Sequence, residues 1–224
     1  MKIMTKLILI VIIMILLFPV SIIGSVDNTD SKVIEEQVKK YTNISGDIKQ
    51  EDIENIKSLA IYSKGLTDVS YLAKLKNLER LDLSYNKIVD ISPLAALTNL
   101  KDLRIDGNRI KDINALDSLR QLEALSLNNN NIDDISPIEN LNKLRSLYVG
   151  DNSIEDISAL KTLKDLRIFD AGNNKIRDIG VLNDLPNIGA LNLAGNPITD
   201  YDILAQKYDY IKCDIEINKV NKKE

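Results

Sequence analysis

Aspartate is the residue whose spacing first suggests chemistry. Asp68, Asp90, Asp112, Asp134, Asp156, Asp178 and Asp200 recur 22 residues apart and could in principle line up as a file of carboxylates. Such a file could hold a hard cation or supply paired acids for proton transfer. Neither chemistry fits the pattern. A hard cation needs several oxygens converging on one point, with glycine tightening the loop, whereas acids separated by a repeat are each one strand spacing from the next. The carboxylate pairs follow the repeat and not a cleft. The sequence holds no histidine, which removes the commonest general base and nucleophile activator. It has no glycine loop to cradle phosphate. Cys213 stands alone, on the apolar side of the alternating run Ile211 to Ile217, and reads as a small buried hydrophobe. The expectation is a protein that is not an enzyme and that uses no cofactor and no metal.

The aspartates are one column of a larger pattern. Leu78, Leu100, Leu122, Leu144, Leu166 and Ile188 share the 22-residue step. Three positions on come Leu81, Leu103, Leu125, Leu147, Phe169 and Leu191, and two further on Leu83, Ile105, Leu127, Val149, Ala171 and Leu193. An asparagine follows each time, as Asn86, Asn108, Asn130, Asn152, Asn174 and Asn196. Fixed-period self-similarity of this kind marks a solenoid. Leu-x-Leu buries alternate residues and so reads as a short strand. The asparagine stands where the chain leaves the strand, and its amide can satisfy backbone groups that the turn would strand inside the protein. The aspartate, followed by Ser92-Pro93 or Ser136-Pro137, is a helix-start signal, so each outer segment reads as a turn of 3₁₀ or α-helix. No coil can bury its leucines alone, so stacking must do it.

These residues resemble the internalin type of bacterial leucine-rich repeat, and Leu78 through Leu94 carries the pattern of the 22-residue unit. The resemblance implies an α/β repeat, a right-handed leucine-rich-repeat solenoid with parallel strands on the concave face, short helical turns on the convex face and an N-terminal helical cap. A degenerate first coil (Ile56, Leu59, Ile61, Leu66, Val69, Leu72, Leu75) has Lys64 in place of the asparagine. Val33, Ile34, Val38 and Tyr41 have helical spacing, and Asp52, Ile53 and Ile56 suggest a second short helix. The expected organisation is residues 1–25 as signal peptide or signal anchor, 26–55 as cap, 56–209 as about seven coils, and 210–224 as a capping strand and tail.

The first segment has Lys2 and Lys6, an apolar run from Leu7 to Phe18, and small residues after Pro19, the layout of a secretory signal. Cleavage after Gly24 or Ser25 and retention as an anchor both stay open, since residues 7–24 are at the short end of a membrane span. The expected location is secreted or at the extracellular face of the membrane. Covalent wall attachment is not expected, because no Leu-Pro-x-Thr-Gly motif is present. Without Lys2 and Lys6 the chain has 27 basic and 33 acidic residues, a net of −6, so nucleic acid is not an expected partner. Membrane contact is expected only through residues 7–24.

The residues that the repeat leaves free flank the inward leucines. Tyr62, Arg80, Asp82, Tyr85, Asp102, Arg104, Asp106, Asn128, Tyr148, Asp151, Ile168 and Asp170 are expected on the concave face. Tyrosine and arginine are common interface anchors, so the face is expected to bind a protein, with Tyr85, Arg104 and Tyr148 at the centre and the aspartates selecting basic groups. A monomer is expected. An adhesin or virulence-type recognition module and a structural component of the cell envelope both remain open.

Overall fold

The computed structural model describes residues 29–200; the expected signal segment and the C-terminal capping strand lie outside them. Leucine-x-leucine triplets form seven three-residue strands, β1 (Ser58–Ala60), β2 (Arg80–Asp82), β3 (Asp102–Arg104), β4 (Ala124–Ser126), β5 (Ser146–Tyr148), β6 (Ile168–Asp170) and β7 (Ala190–Asn192). They pair in parallel, in chain order, in one sheet. The register is a straight 22-residue offset, so Leu81 faces Leu59 and Leu103. A parallel ladder with one strand per coil has the two rows of outward side chains already in line.

Between strands the chain crosses the back of the molecule through 3₁₀ helices: η1 (Ser70–Lys74), η2 (Ser92–Ala96), η3 (Asn114–Ser118), η4 (Ser136–Ile138), η5 (Ser158–Thr162) and η6 (Gly180–Asp184). The recurring aspartate starts each one. Asp90 Oδ1 accepts the Ser92 N–H at 2.7 Å, and Asp112, Asp134, Asp156 and Asp178 accept the amide two residues on at 2.7–2.8 Å. This is the local side-chain turn that aspartate favours, and Pro93 and Pro137 sit within the first helical positions, where a missing N–H costs nothing. The tight 3₁₀ geometry, rather than α, lets a whole coil close in 22 residues.

The core is one column of leucine and isoleucine running the length of the stack, with Phe169 its largest fully buried side chain. Its first end is covered by α1 (Thr29–Thr42), which packs against β1 and η1 and buries Ile34 and Val38, and by α2 (Gln50–Glu54), which buries Ile53. Tyr41, read in the sequence as part of the apolar stripe of α1, is instead 56% exposed, while Ile34 and Val38 are fully buried and Val33 packs against the core. A single carboxylate latches α1 down. Asp30 Oδ2 accepts the Thr67 N–H (2.8 Å), the Thr67 hydroxyl (2.7 Å) and the Asp68 N–H (2.8 Å).

Candidate protein-binding face

The asparagine column holds the turns from inside. Asn130 Nδ2 donates to the carbonyls of Ile105 (3.0 Å), Leu127 (3.0 Å) and Asn128 (3.2 Å), while its Oδ1 accepts the Ile110 N–H at 3.1 Å. Ile105 and Ile110 belong to the preceding coil, so each amide rivets two coils together. Asn86, Asn108, Asn152, Asn174 and Asn196 repeat the bonds to the preceding coil and to their own. Asn86, Asn108, Asn130 and Asn174 are buried, and Asn152 and Asn196 are half-buried. Lys64 breaks the column at no loss, because Asn86 bonds both its amide and that of Leu66.

The residue before each of these positions is left-handed. Ser63, Tyr85, Gly107, Asn129, Asp151, Asn173 and Gly195 all have φ between 54° and 74°. Glycine, asparagine and aspartate tolerate this region; tyrosine does so at a cost of roughly 1–2 kcal/mol. Tyr85 and Asp151 therefore belong to the turn and not to the strand face where the sequence pattern suggested them. The Tyr85 ring lies over Gly107, where an added Cβ would meet Tyr85 Cδ1 at 2.7 Å. Glycine at 107 thus serves its own turn and leaves room for the ring.

Register sets the strand face as two rows. One runs Ser58, Arg80, Asp102, Ala124, Ser146, Ile168, Ala190, and the other Ala60, Asp82, Arg104, Ser126, Tyr148, Asp170, Asn192. In β2 and β3 the charges alternate both along and across the strands. Arg104 Nε approaches Asp102 Oδ1 at 3.4 Å, a largely exposed pair worth at most about 1 kcal/mol. Beyond it Ala124, Ser126 and Ser146 make a floor of small side chains. With Asp102, Arg104, Asp106 and Tyr148 they line an open groove of about 400 Å³. Arg104 and Tyr148 stand two strands apart in one row, about 10 Å at normal strand spacing, and form its walls. Ile168, half-buried, continues the first row past Ser146.

Several half-buried aspartates that the sequence assigned to partner selection also accept hydrogen bonds from within the array. Asp106 Oδ1 accepts the Ser126 hydroxyl (2.6 Å) and the Asn128 N–H (2.8 Å), and Asn128 Oδ1 accepts the Gly150 N–H (2.7 Å). Asp170 Oδ1 accepts the Gly172 N–H and an Asn192 amide hydrogen at 3.1 and 3.0 Å. Asp82 accepts the Ser84 N–H, and Ser84 is itself buried. This second polar lattice, two positions beyond the strand ends, has varied residue types (Ser84, Asp106, Asn128, Gly150, Gly172), so no repeating letter announced it. The small floor residues were legible only as gaps between larger ones. Arg80, by contrast, projects from the face exposed, as does Tyr62 (59%), while Tyr85 (65%) stands exposed on its turn; the two tyrosines are the most exposed aromatic side chains of the described residues.

The comparisons agree with this geometry. A family described as Leucine Rich repeats (2 copies) matches residues 54–96, 76–118 and 120–162. Internalin C2 from Listeria monocytogenes is 31% identical with a TM-score of 0.64, covering 77% of this chain and 88% of its own. Internalin F from the same organism is also 31% identical, with a TM-score of 0.51, covering 80% of this chain and 66% of its own. The plant peptide hormone receptor RGFR1, solved in complex with RGF2, shares the fold at 20% identity and a TM-score of 0.58 over 69% of this chain and 27% of its own. No curated protein matches at a significant level. Such an array is a protein-interaction scaffold and not typically enzymatic, and no helix among the described residues is long and apolar enough to cross a membrane. By its repeat, its cap and its likeness to internalin C2 over most of both chains, this chain belongs to the internalin family of leucine-rich-repeat proteins.

Proposed function

We propose that the chain is an exported, monomeric recognition module that binds a protein through its strand face, centred on the groove between Arg104 and Tyr148. The groove carries the reading. A floor of Ala124, Ser126 and Ser146 lets a partner side chain approach the sheet. Tyr148 offers an aromatic wall, and Arg104, held only by an exposed ion pair, can exchange Asp102 for a partner carboxylate or carbonyl. Seven strands at normal spacing give a strip about 30 Å long, enough for the roughly 800 Å² per partner of a standard interface. The groove accepts a projecting side chain; at Asp82, Asp106 and Asp170 one carboxylate oxygen is already engaged by donors of the array, which leaves less of each acid to select basic partners.

Export rests on the sequence of residues 1–25, and an adhesin or virulence-type role follows if the module is released. A chain still carrying Met1 to Gly24 would instead be an anchored envelope component. Mass spectrometry of the native protein separates the two: a start near Ser25 supports release, an intact amino terminus supports anchoring. For the face itself, partner binding should weaken on Arg104→Ala and Tyr148→Ala and persist on Lys161→Ala. Binding that survives the first two and fails on the third assigns recognition to the helical side.

A further inference from the structure

The first coil has a different surface from the rest of the array. Gln37, Lys40 and Tyr41 of α1 and Ala60, Tyr62 and Lys64 of the first coil enclose an open groove of about 470 Å³, lined by no acidic side chain among the described residues. Tyr41 and Tyr62 are 56% and 59% exposed. Lys40 and Lys64 are exposed, and among the described residues neither side chain has an ion pair, whereas Lys57, Lys101, Lys111, Arg104 and Arg145 do.

The floor of this groove is a sheet edge. In a parallel ladder alternate residues of a strand serve opposite neighbours. Toward β2 the first coil uses the Lys57 carbonyl and the Ile61 and Ser63 amides. The backbone groups of Ala60 and Tyr62 therefore face the outer edge, and among the described residues no turn, loop or cap hydrogen bond reaches them. The cap seals the apolar core with Ile34 and Val38 but leaves this stretch of edge open, where Ala60 and Tyr62 are both exposed. An open edge is a template for another strand.

We propose that this edge is a second docking site, at which an extended acidic segment of a partner protein adds beside Ala60–Tyr62 and places carboxylates against Lys40 and Lys64. Backbone pairing supplies the register, the two tyrosines cover alternate side chains, and the lysines select charge, which is strand addition as other sheet edges practise it. The site is independent of the groove at Arg104 and Tyr148.

The test uses the full chain and a fluorescein-labelled peptide of alternating glutamate and valine, followed by fluorescence anisotropy at low salt. Three controls go with it: the same peptide N-methylated at alternate amides, its lysine-valine counterpart, and heparin. Saturable binding of the glutamate peptide is expected. It should weaken at least about tenfold in a Lys40→Glu/Lys64→Glu variant, and comparably on N-methylation, with Arg104→Ala/Tyr148→Ala leaving it unchanged. Both lysines are exposed, so an unaltered circular dichroism melt will show that the charge-reversed chain is folded. The proposal is overturned if the peptide does not bind, if binding survives charge reversal or N-methylation, or if it is lost with Arg104 and Tyr148. Equal binding of the lysine peptide overturns it too. Heparin displacing the peptide at lower concentration would assign the lysines to an anionic polysaccharide, and sedimentation showing dimers broken by the lysine variant would assign the edge to a second copy of this chain.

Discussion

The asparagine column and the strand face are spaced by the same 22 residues and lie only a few positions apart in each coil, yet they are opposites. Asn130 has every polar atom engaged with backbone from two coils, whereas Tyr148 and Arg104, one coil away on either side, turn toward open space. The column is invariant because the backbone it serves is the same in each turn. The rows vary because nothing in the stack specifies them. Identity across coils thus marks what holds the array together, and variation across coils marks what it can offer a partner. The first coil sharpens the point, since its asparagine is replaced by Lys64 and its edge has a helix where another coil would be.

The largest test of this division is removal of the cap. Deleting residues 26–55 takes away Ile34, Val38 and Ile53 and opens the end of the leucine column; the chain should lose its cooperative melt and aggregate. A truncated chain that melts cooperatively at the full-length temperature would mean that α1 is no part of the folded unit.

Next comes the column itself. Asn130→Ala strands the buried Ile110 N–H and takes one of two donors from each of the Ile105, Leu127 and Asn128 carbonyls, and should destabilise by about 1–3 kcal/mol in urea melts. The same change at half-buried Asn152 should cost less, since water can reach the groups it leaves. Equal, negligible losses at both would show that the amides merely occupy the turns.

The Asp30 latch should matter somewhat less, about 1–2 kcal/mol for Asp30→Ala, read as earlier loss of the α1 signal. Burial opposes its ionisation, but the hydrogen bonds from Thr67 and Asp68 outweigh that and hold its pKa below the ordinary 3.8. Because the folded value is the lower one, the latch contributes in full above the ordinary value and is lost as pH falls through the depressed one. Acid titration of the wild type should therefore loosen α1 below about pH 4, and Asp30→Asn should abolish that component. The smallest effect is expected at the outer aspartates. Asp134→Ala removes two exposed turn bonds from Ser136 and should cost about 0.5–1 kcal/mol; a loss matching that at Asn130 would erase the distinction between the two columns.

How much of this was readable in advance divides along the same line. The strands, the 3₁₀ turns, the asparagine rivets and both cap helices follow from residues repeated at one spacing or placed at helical intervals. The faults lie where the function of a residue depends on its neighbour in the next coil. Asp106 and Asn128 read as free because their donors, Ser126 and Gly150, are about one repeat away and differ in type from coil to coil. Tyr85 and Asp151 were placed on the strand because a left-handed turn residue is announced by glycine or asparagine, and tyrosine conceals it. Tyr41 kept its helical spacing but had no core to meet. The open edge at Ala60 and Tyr62 has no sequence signature, since backbone exposure depends on how far α1 extends across β1.

One experiment reaches the central claim most directly. Once a partner has been captured, its affinity and the thermal stability of the chain should be measured together for wild type, Tyr148→Ala and Lys161→Ala. The account predicts that Tyr148→Ala weakens binding by about 1–3 kcal/mol while shifting the melting temperature by no more than a few degrees, as its ring is only half-buried, and that Lys161→Ala changes neither. Unchanged affinity in Tyr148→Ala, with loss in Lys161→Ala, would contradict it and move recognition to the other side of the array.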